Sequence, residues 1–117
     1  MKKIYYLSTC STCTRIIAAL NLGNDFEYQD IKSTKITEVQ LEEMAKMSGS
    51  FESLFSRKAI KYKTLNLKEK LLTENDYKKL ILEEYTFLKR PVIIVGKNIF
   101  VGNAKNTIED AAKLLIS

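Results

Sequence analysis

Apolar positions early in the chain follow two different periods. Ile4-Tyr-Tyr-Leu7 is a short unbroken apolar run, and Lys3–Leu7 reads as a short buried strand. From Ser11 to Leu22 the spacing changes. Cys13, Ile17 and Leu20 recur at helical intervals with Ile16 and Ala19 beside them, and Gly23-Asn24 supplies a helix stop. Phe26–Ile31 returns to a strand pattern. A strand, a helix and a strand within about 30 residues predict a parallel, right-handed βαβ unit over 3–31.

The next stretch is helical. Thr37-Glu-Val-Gln40 has the form of a capping box, and the helix it opens buries Leu41, Met44 and Ala45 before Ser48-Gly49. Residues 50–72 are less periodic. Phe51, Leu54 and Phe55 suggest one short helix, and Leu65, Leu67, Leu71 and Leu72 another. Thr73-Glu-Asn-Asp76 caps a further helix with Tyr77, Leu80 and Ile81 on one face. Val92-Ile-Ile-Val95 and Ile99-Phe-Val101 then read as two strands joined by a tight turn at Gly96-Lys97-Asn98. Asn106-Thr-Ile-Glu109 is expected to cap the last helix, with Ile108, Ala111, Ala112 and Leu115 as its apolar stripe. No linker, repeat or low-complexity segment interrupts this order.

Length and composition narrow the class. A chain of 117 residues with 45% hydrophobic and 28% charged residues can form one core without disulfide staples. Its apolar stretches fall far short of the ~18 residues a membrane span needs. Ile4 to Leu7 is likewise too short for the roughly 7–15-residue core of a signal peptide, so a cytosolic protein is expected. The net charge of +5 raises nucleic acid as a partner, but Lys58, Lys61, Lys63, Lys68 and Lys70 are scattered and form no dense basic block. The reading is a lysine-rich solvated surface without direct nucleic-acid binding. The absence of histidine removes Cys-His and Ser-His-Asp catalysis and histidine-ligated zinc. Two cysteines cannot complete a four-thiolate zinc site within one chain, so no metal is expected.

The chemistry of interest is Cys10-Ser-Thr-Cys13. Cys10 falls at the junction of strand and helix, where unpaired N–H groups and the helix dipole favour thiolate over thiol. Cys13 lies one turn on, on the same face, and can attack a bond formed at Cys10 to release an intramolecular disulfide. Cys10 is therefore the expected nucleophile and Cys13 the resolving or buried partner. The alternative is that both are inert core residues, as free cysteines often are. The same helix start, with Ser8, Thr9, Ser11, Thr12 and Thr14 around it, suits an oxyanion. Arginine binds such groups bidentately, and the chain has only Arg15, Arg57 and Arg90.

These residues carry a family resemblance. Cys10-Ser-Thr-Cys13-Thr-Arg15, Leu54-Phe-Ser-Arg57-Lys58 and Leu88-Lys-Arg90-Pro91-Val-Ile-Ile94 resemble the arsenate reductase (ArsC)/Spx family of thioredoxin-like proteins over essentially the whole chain. The resemblance implies an α/β fold, thioredoxin-like (glutaredoxin-like). In it a mixed four-stranded sheet carries a helical insertion at about 37–86, followed by β-β-α over 92–116, within one domain spanning 1–117. It implies a cis-proline at Pro91. It also implies Cys10 as nucleophile, Ser11, Thr12, Arg57 and Arg90 at an oxyanion, and an external reductant, either glutathione with glutaredoxin or thioredoxin. No bound cofactor is implied, and a monomer is expected. The chain differs from those reductases in two ways. Their third arginine, shortly after the last strand, has no counterpart in Phe100-Val-Gly102-Asn103-Ala-Lys105, where Lys105 is the nearest cation. Their usual single cysteine is here a Cys-x-x-Cys pair. That pair and Val101-Gly-Asn103 are more similar to the Spx branch, whose members include redox-sensing regulators that bind the RNA polymerase α subunit. Three readings follow: a thiol oxidoreductase, favoured by the oxyanion residues and the short chain; an Spx-type transcription regulator; and a structural domain with inert cysteines.

Overall fold

The computed structural model describes residues 1–116; Ser117, the last residue of the expected domain, lies outside them. The chain forms two compact units, one of Met1–Lys35 with the segment from Arg90 onward and one of Ile36–Lys89.

The first unit is a mixed sheet with helices. Strand β1 (Lys2–Tyr6) leads into helix α1 (Ser11–Leu20) and strand β2 (Glu27–Asp30). Strands β3 (Val92–Val95) and β4 (Asn98–Val101) and helix α5 (Lys105–Ile116) complete it. The strand order is β2-β1-β3-β4. β1 runs parallel to β2, as a helical crossover allows, and antiparallel to β3, which pairs antiparallel with β4 through the Gly96 turn. Gly96 has φ 61°, a conformation that glycine adopts without steric cost. Ile4 lies opposite Ile93 in register, and with Phe26 these buried side chains form a core. Ile17 and Leu20 of α1 and Leu115 of α5 pack on it. Each fully buried aliphatic of this kind stabilises the fold by about 1.5–3 kcal/mol, so the core anchors the C-terminal half of α1 to the central strand.

Two boundaries differ from expectation. Helix α1 ends at Leu20, where Asn21 takes the left-handed conformation (φ 51°) and donates its N–H to Ala18 O. Asparagine tolerates that conformation better than other side-bearing residues, so it stops the helix before Gly23 can. Asn106 is not a cap but sits inside α5, whose first turn is closed by the Ile108 N–H on Ala104 O.

The second unit is helical. Helix α2 (Glu38–Ser48) starts from a complete Thr37/Gln40 capping box and ends at Gly49 (φ 108°). Helix α4 (Glu74–Glu83) starts from a Thr73/Asp76 box. Between them lie a 3-10 turn at Glu52–Leu54, the short helix α3 (Ile60–Thr64) and another 3-10 turn at Leu67–Glu69. The weak periodicity of 50–72 thus reflects three short pieces, and Leu71, expected on an apolar face, is fully exposed. Phe55 stacks on Phe87 with ring centroids 5.0 Å apart and meets Tyr77 at 4.9 Å. Lys78 of α4 bridges to Glu38 of α2 at 2.7 Å.

Candidate active site

Cys10 occupies the N-cap position of α1 with extended backbone (φ −94°, ψ 111°). A tight turn delivers it there: the Cys10 N–H donates to Leu7 O at 3.0 Å, enclosing Ser8 and Thr9, and Cys10 O accepts the first helical bond from Thr14 at 3.2 Å. The cap residue therefore projects its side chain over the free N–H groups of the first turn. Cys10 is partly exposed, whereas Cys13 is fully buried, and neither is in a disulfide.

This difference in burial separates the two thiols electrostatically. Partial burial pushes the Cys10 thiol up, but the N–H and thiol of Cys13, the N–H of Thr12 and the Arg90 guanidinium together outweigh it and hold the thiol below its ordinary value of 9.0. The Cys10 sulfur accepts no fully formed cap hydrogen bond. The approaching N–H dipoles act on its charged form. For Cys13 burial dominates, and although the Leu7 backbone opposes it, the neighbouring Cys10 sulfur adds to it; the thiol is pushed up to about 11. The two thiols thus differ in acidity, Cys10 below the ordinary value and Cys13 above it.

Arg90 and Pro91 join the cysteines in the first unit. The Arg90–Pro91 peptide bond is cis, as the family resemblance implied, and Pro91 O accepts from the Gly102 N–H at 2.9 Å. Arg90 is half-buried, and its Nε–H lies buried without an acceptor while the side chain makes other interactions. Ser11 is exposed and Thr12 half-buried at the start of α1. Two of the hydroxyls expected around an oxyanion are committed elsewhere: Thr14 Oγ1 donates to Ser11 O at 3.0 Å, and Ser8 Oγ donates to the Asp30 carboxylate. Lys105 is exposed at the first position of α5.

Arg57 belongs to the second unit. Its Nη2 donates to Glu52 Oε2 at 2.9 Å and to the Tyr77 hydroxyl at 3.1 Å, and its guanidinium lies over the Tyr77 ring. The Glu52 bond is the main cause that raises its pKa further. The ion pair is about half exposed, a setting in which such pairs contribute about 0–1 kcal/mol. An anion could therefore take the guanidinium from Glu52 at little cost.

A contact absent from the sequence reading adjoins the cysteine loop. The carboxylate of Asp30, the last residue of β2, accepts the Ser8 hydroxyl at 2.5 Å, the Lys32 N–H at 3.1 Å and the Ser8 N–H at 3.5 Å. The Ser8 hydroxyl is the main reason its carboxyl sits below the usual range. No pattern in sequence marks this pair, because 22 residues separate its members. Among the described residues, no three of His, Cys, Asp and Glu gather into a group that could hold a metal ion, and no helix is long and apolar enough to cross a membrane.

The chain belongs to the ArsC family: the profile of that family matches residues 5–111. Among its relatives, the uncharacterized protein YusI of Bacillus subtilis is 26% identical over 91% of this chain and 93% of its own length. The global transcriptional regulator Spx 2 of Bacillus anthracis is also 26% identical, over 87% of this chain and 79% of its own. Among solved structures, the arsenate reductase from Vibrio cholerae superposes with a TM-score of 0.78 at 20% identity, covering 93% of this chain and 95% of that one. At that identity the likeness shows the thioredoxin-like fold, with its mixed four-stranded sheet and helices.

Proposed function

We propose that the protein is a thiol-dependent oxidoreductase of the arsenate reductase type that works in the cytoplasm, with Cys10 as nucleophile on an oxyanion or a thiol-linked substrate. The observation that carries this reading is the asymmetry of the pair: a partly exposed, ionisation-prone sulfur at the N-cap of α1 and a buried, neutral one a turn later. With arsenate, the Cys10 thiolate displaces hydroxide to form an S–As bond, and Ser11, Thr12 and Arg90 of the same unit hold the remaining oxygens. A second thiolate then attacks Cys10 Sγ. The S–As electron pair passes to arsenic, which leaves as arsenite, and the two sulfurs leave as a disulfide. The second sulfur comes from glutathione, or from Cys13, whose thiol gives up its proton to the hydroxide displaced in the first step as it attacks. Glutaredoxin with glutathione, or thioredoxin, returns the two electrons. Membership of the ArsC family supports this chemistry.

The test is arsenate-dependent NADPH consumption with each reducing relay in turn. Turnover that Cys10→Ser abolishes supports the proposal. Turnover that survives Cys13→Ser assigns release to an external thiol. No turnover with either relay refutes arsenate as substrate. The similarity to Spx 2, together with the Cys-x-x-Cys pair, favours one second reading: a redox-responsive regulator that binds the RNA polymerase α subunit. Capture of that subunit by the purified protein, combined with absent turnover, reverses the order of the two readings.

A further inference from the structure

The turn that carries Cys10 is tied to the end of β2 through a side chain. Its central residue Ser8 donates its hydroxyl to Asp30 Oδ2 at 2.5 Å, and its N–H lies 3.5 Å from Oδ1. Asp30 is itself fixed. It closes β2 in register with Tyr6, the following N–H of Ile31 donates to Tyr6 O at 2.9 Å, and its own carbonyl accepts from Thr34 at 2.8 Å. The Lys32 N–H at 3.1 Å holds the carboxylate in orientation. Ser8 and Cys10 belong to one turn, closed by the Cys10 N–H on Leu7 O. A shift of Ser8 therefore carries Cys10 with it, and moves Sγ relative to the N–H groups of Thr12 and Cys13 that favour its charged form. These groups, the Cys13 thiol and Arg90 are the ones that act on the sulfur.

We infer that Asp30 is a positioning residue for Cys10: through Ser8 its carboxylate straps the strand-to-helix turn to the end of β2 and fixes where the nucleophilic sulfur sits. The inference rests on the reading of Cys10 as a reactive thiol. It also separates cleanly from a simple field effect. A carboxylate acting only through its negative charge opposes the thiolate, so its removal eases Cys10 ionisation. A carboxylate acting as a strap has the opposite sign, because its removal loosens the contacts that favour the thiolate.

The experiment measures Cys10 alkylation by iodoacetamide against pH on the reduced full chain, with the modified peptide assigned by mass spectrometry. Ser8→Ala removes the donor without changing charge, and its inflection is expected to rise by about 0.5–1 pH unit, a roughly three- to tenfold loss of thiolate below the inflection. Ser8→Thr keeps the hydroxyl and is expected to restore the wild-type curve. Asp30→Ala is expected to move the inflection upward as well. Circular dichroism melts accompany each variant, since a merely structural bond lowers the melting point without moving the inflection. A wild-type inflection below that of the same cysteine in the urea-unfolded chain, the free-thiol reference, that Ser8→Ala leaves in place overturns the strap and spares the reactive-thiol reading. A downward shift in Asp30→Ala also overturns the strap. A wild-type inflection at or above the free-thiol value overturns both.

Discussion

The cysteine pair should react one sulfur at a time, and the size of the difference can be worked out. At pH 7 a thiol titrating at about 11, as Cys13 does, is ionised to roughly one part in ten thousand, and a thiol at the ordinary 9.0 to roughly one part in a hundred. Cys10 lies below 9.0, so its thiolate population exceeds that of Cys13 by at least about a hundredfold. The less acidic sulfur is the stronger nucleophile once ionised, which over two units returns a factor of roughly six to ten to Cys13. Ionisation alone therefore leaves Cys10 at least about tenfold faster. Burial adds to this, because Cys13 has no exposed surface for a reagent to reach. The assay is substoichiometric iodoacetamide at pH 7 on the reduced protein, followed by peptide mapping. The first equivalent is expected almost wholly on Cys10. In Cys10→Ser, Cys13 should stay slow until the chain is unfolded. Comparable labelling of both sulfurs in the folded chain, or labelling of Cys13 first, refutes the reasoning, because both results require the N-cap sulfur to lack its advantage.

Three further outcomes follow from the same packing and electrostatics. Arg90→Ala should raise the Cys10 inflection by a few tenths of a pH unit while Arg90→Lys keeps most of it, since Arg90 is the smallest of the favourable influences on that sulfur; a fall in the alkylation titration contradicts this. Alkaline stability should reflect Cys13. Its folded value of about 11 lies above the ordinary 9.0, so its contribution is complete below about pH 9 and lost as pH rises to 11. Denaturant melts should show up to about 2–3 kcal/mol of this loss in wild type relative to Cys13→Ala. Phe55→Ala should cost about 3–5 kcal/mol in the same melts, because Phe55 is fully buried and packs on both Phe87 and Tyr77.

Much of the molecule was legible residue by residue. The Thr37 and Thr73 capping boxes, the Gly49 stop, the opening βαβ unit and the closing hairpin are written within windows of a few residues, where backbone geometry and side-chain chemistry act on near neighbours. The placement of Cys10 at a helix start belongs to the same class. At the end of α1 two local signals compete. Asn21 and Gly23 could each end α1, and the nearer one, able to bear a positive φ, does so. Residues 50–72 had too few turns per piece for a period to show.

By itself, then, the sequence determined the kinds of element, their order and the presence of a thiol pair at a strand-to-helix turn, because these depend on contacts between residues three or four apart. Tertiary structure alone decided which thiol is buried, that Arg57 reaches the Tyr77 hydroxyl, and that Ser8 is tied to Asp30. Burial, and hydrogen bonds between residues far apart in sequence, exist only once the chain has brought distant segments together. No spacing rule in the linear sequence encodes their partners.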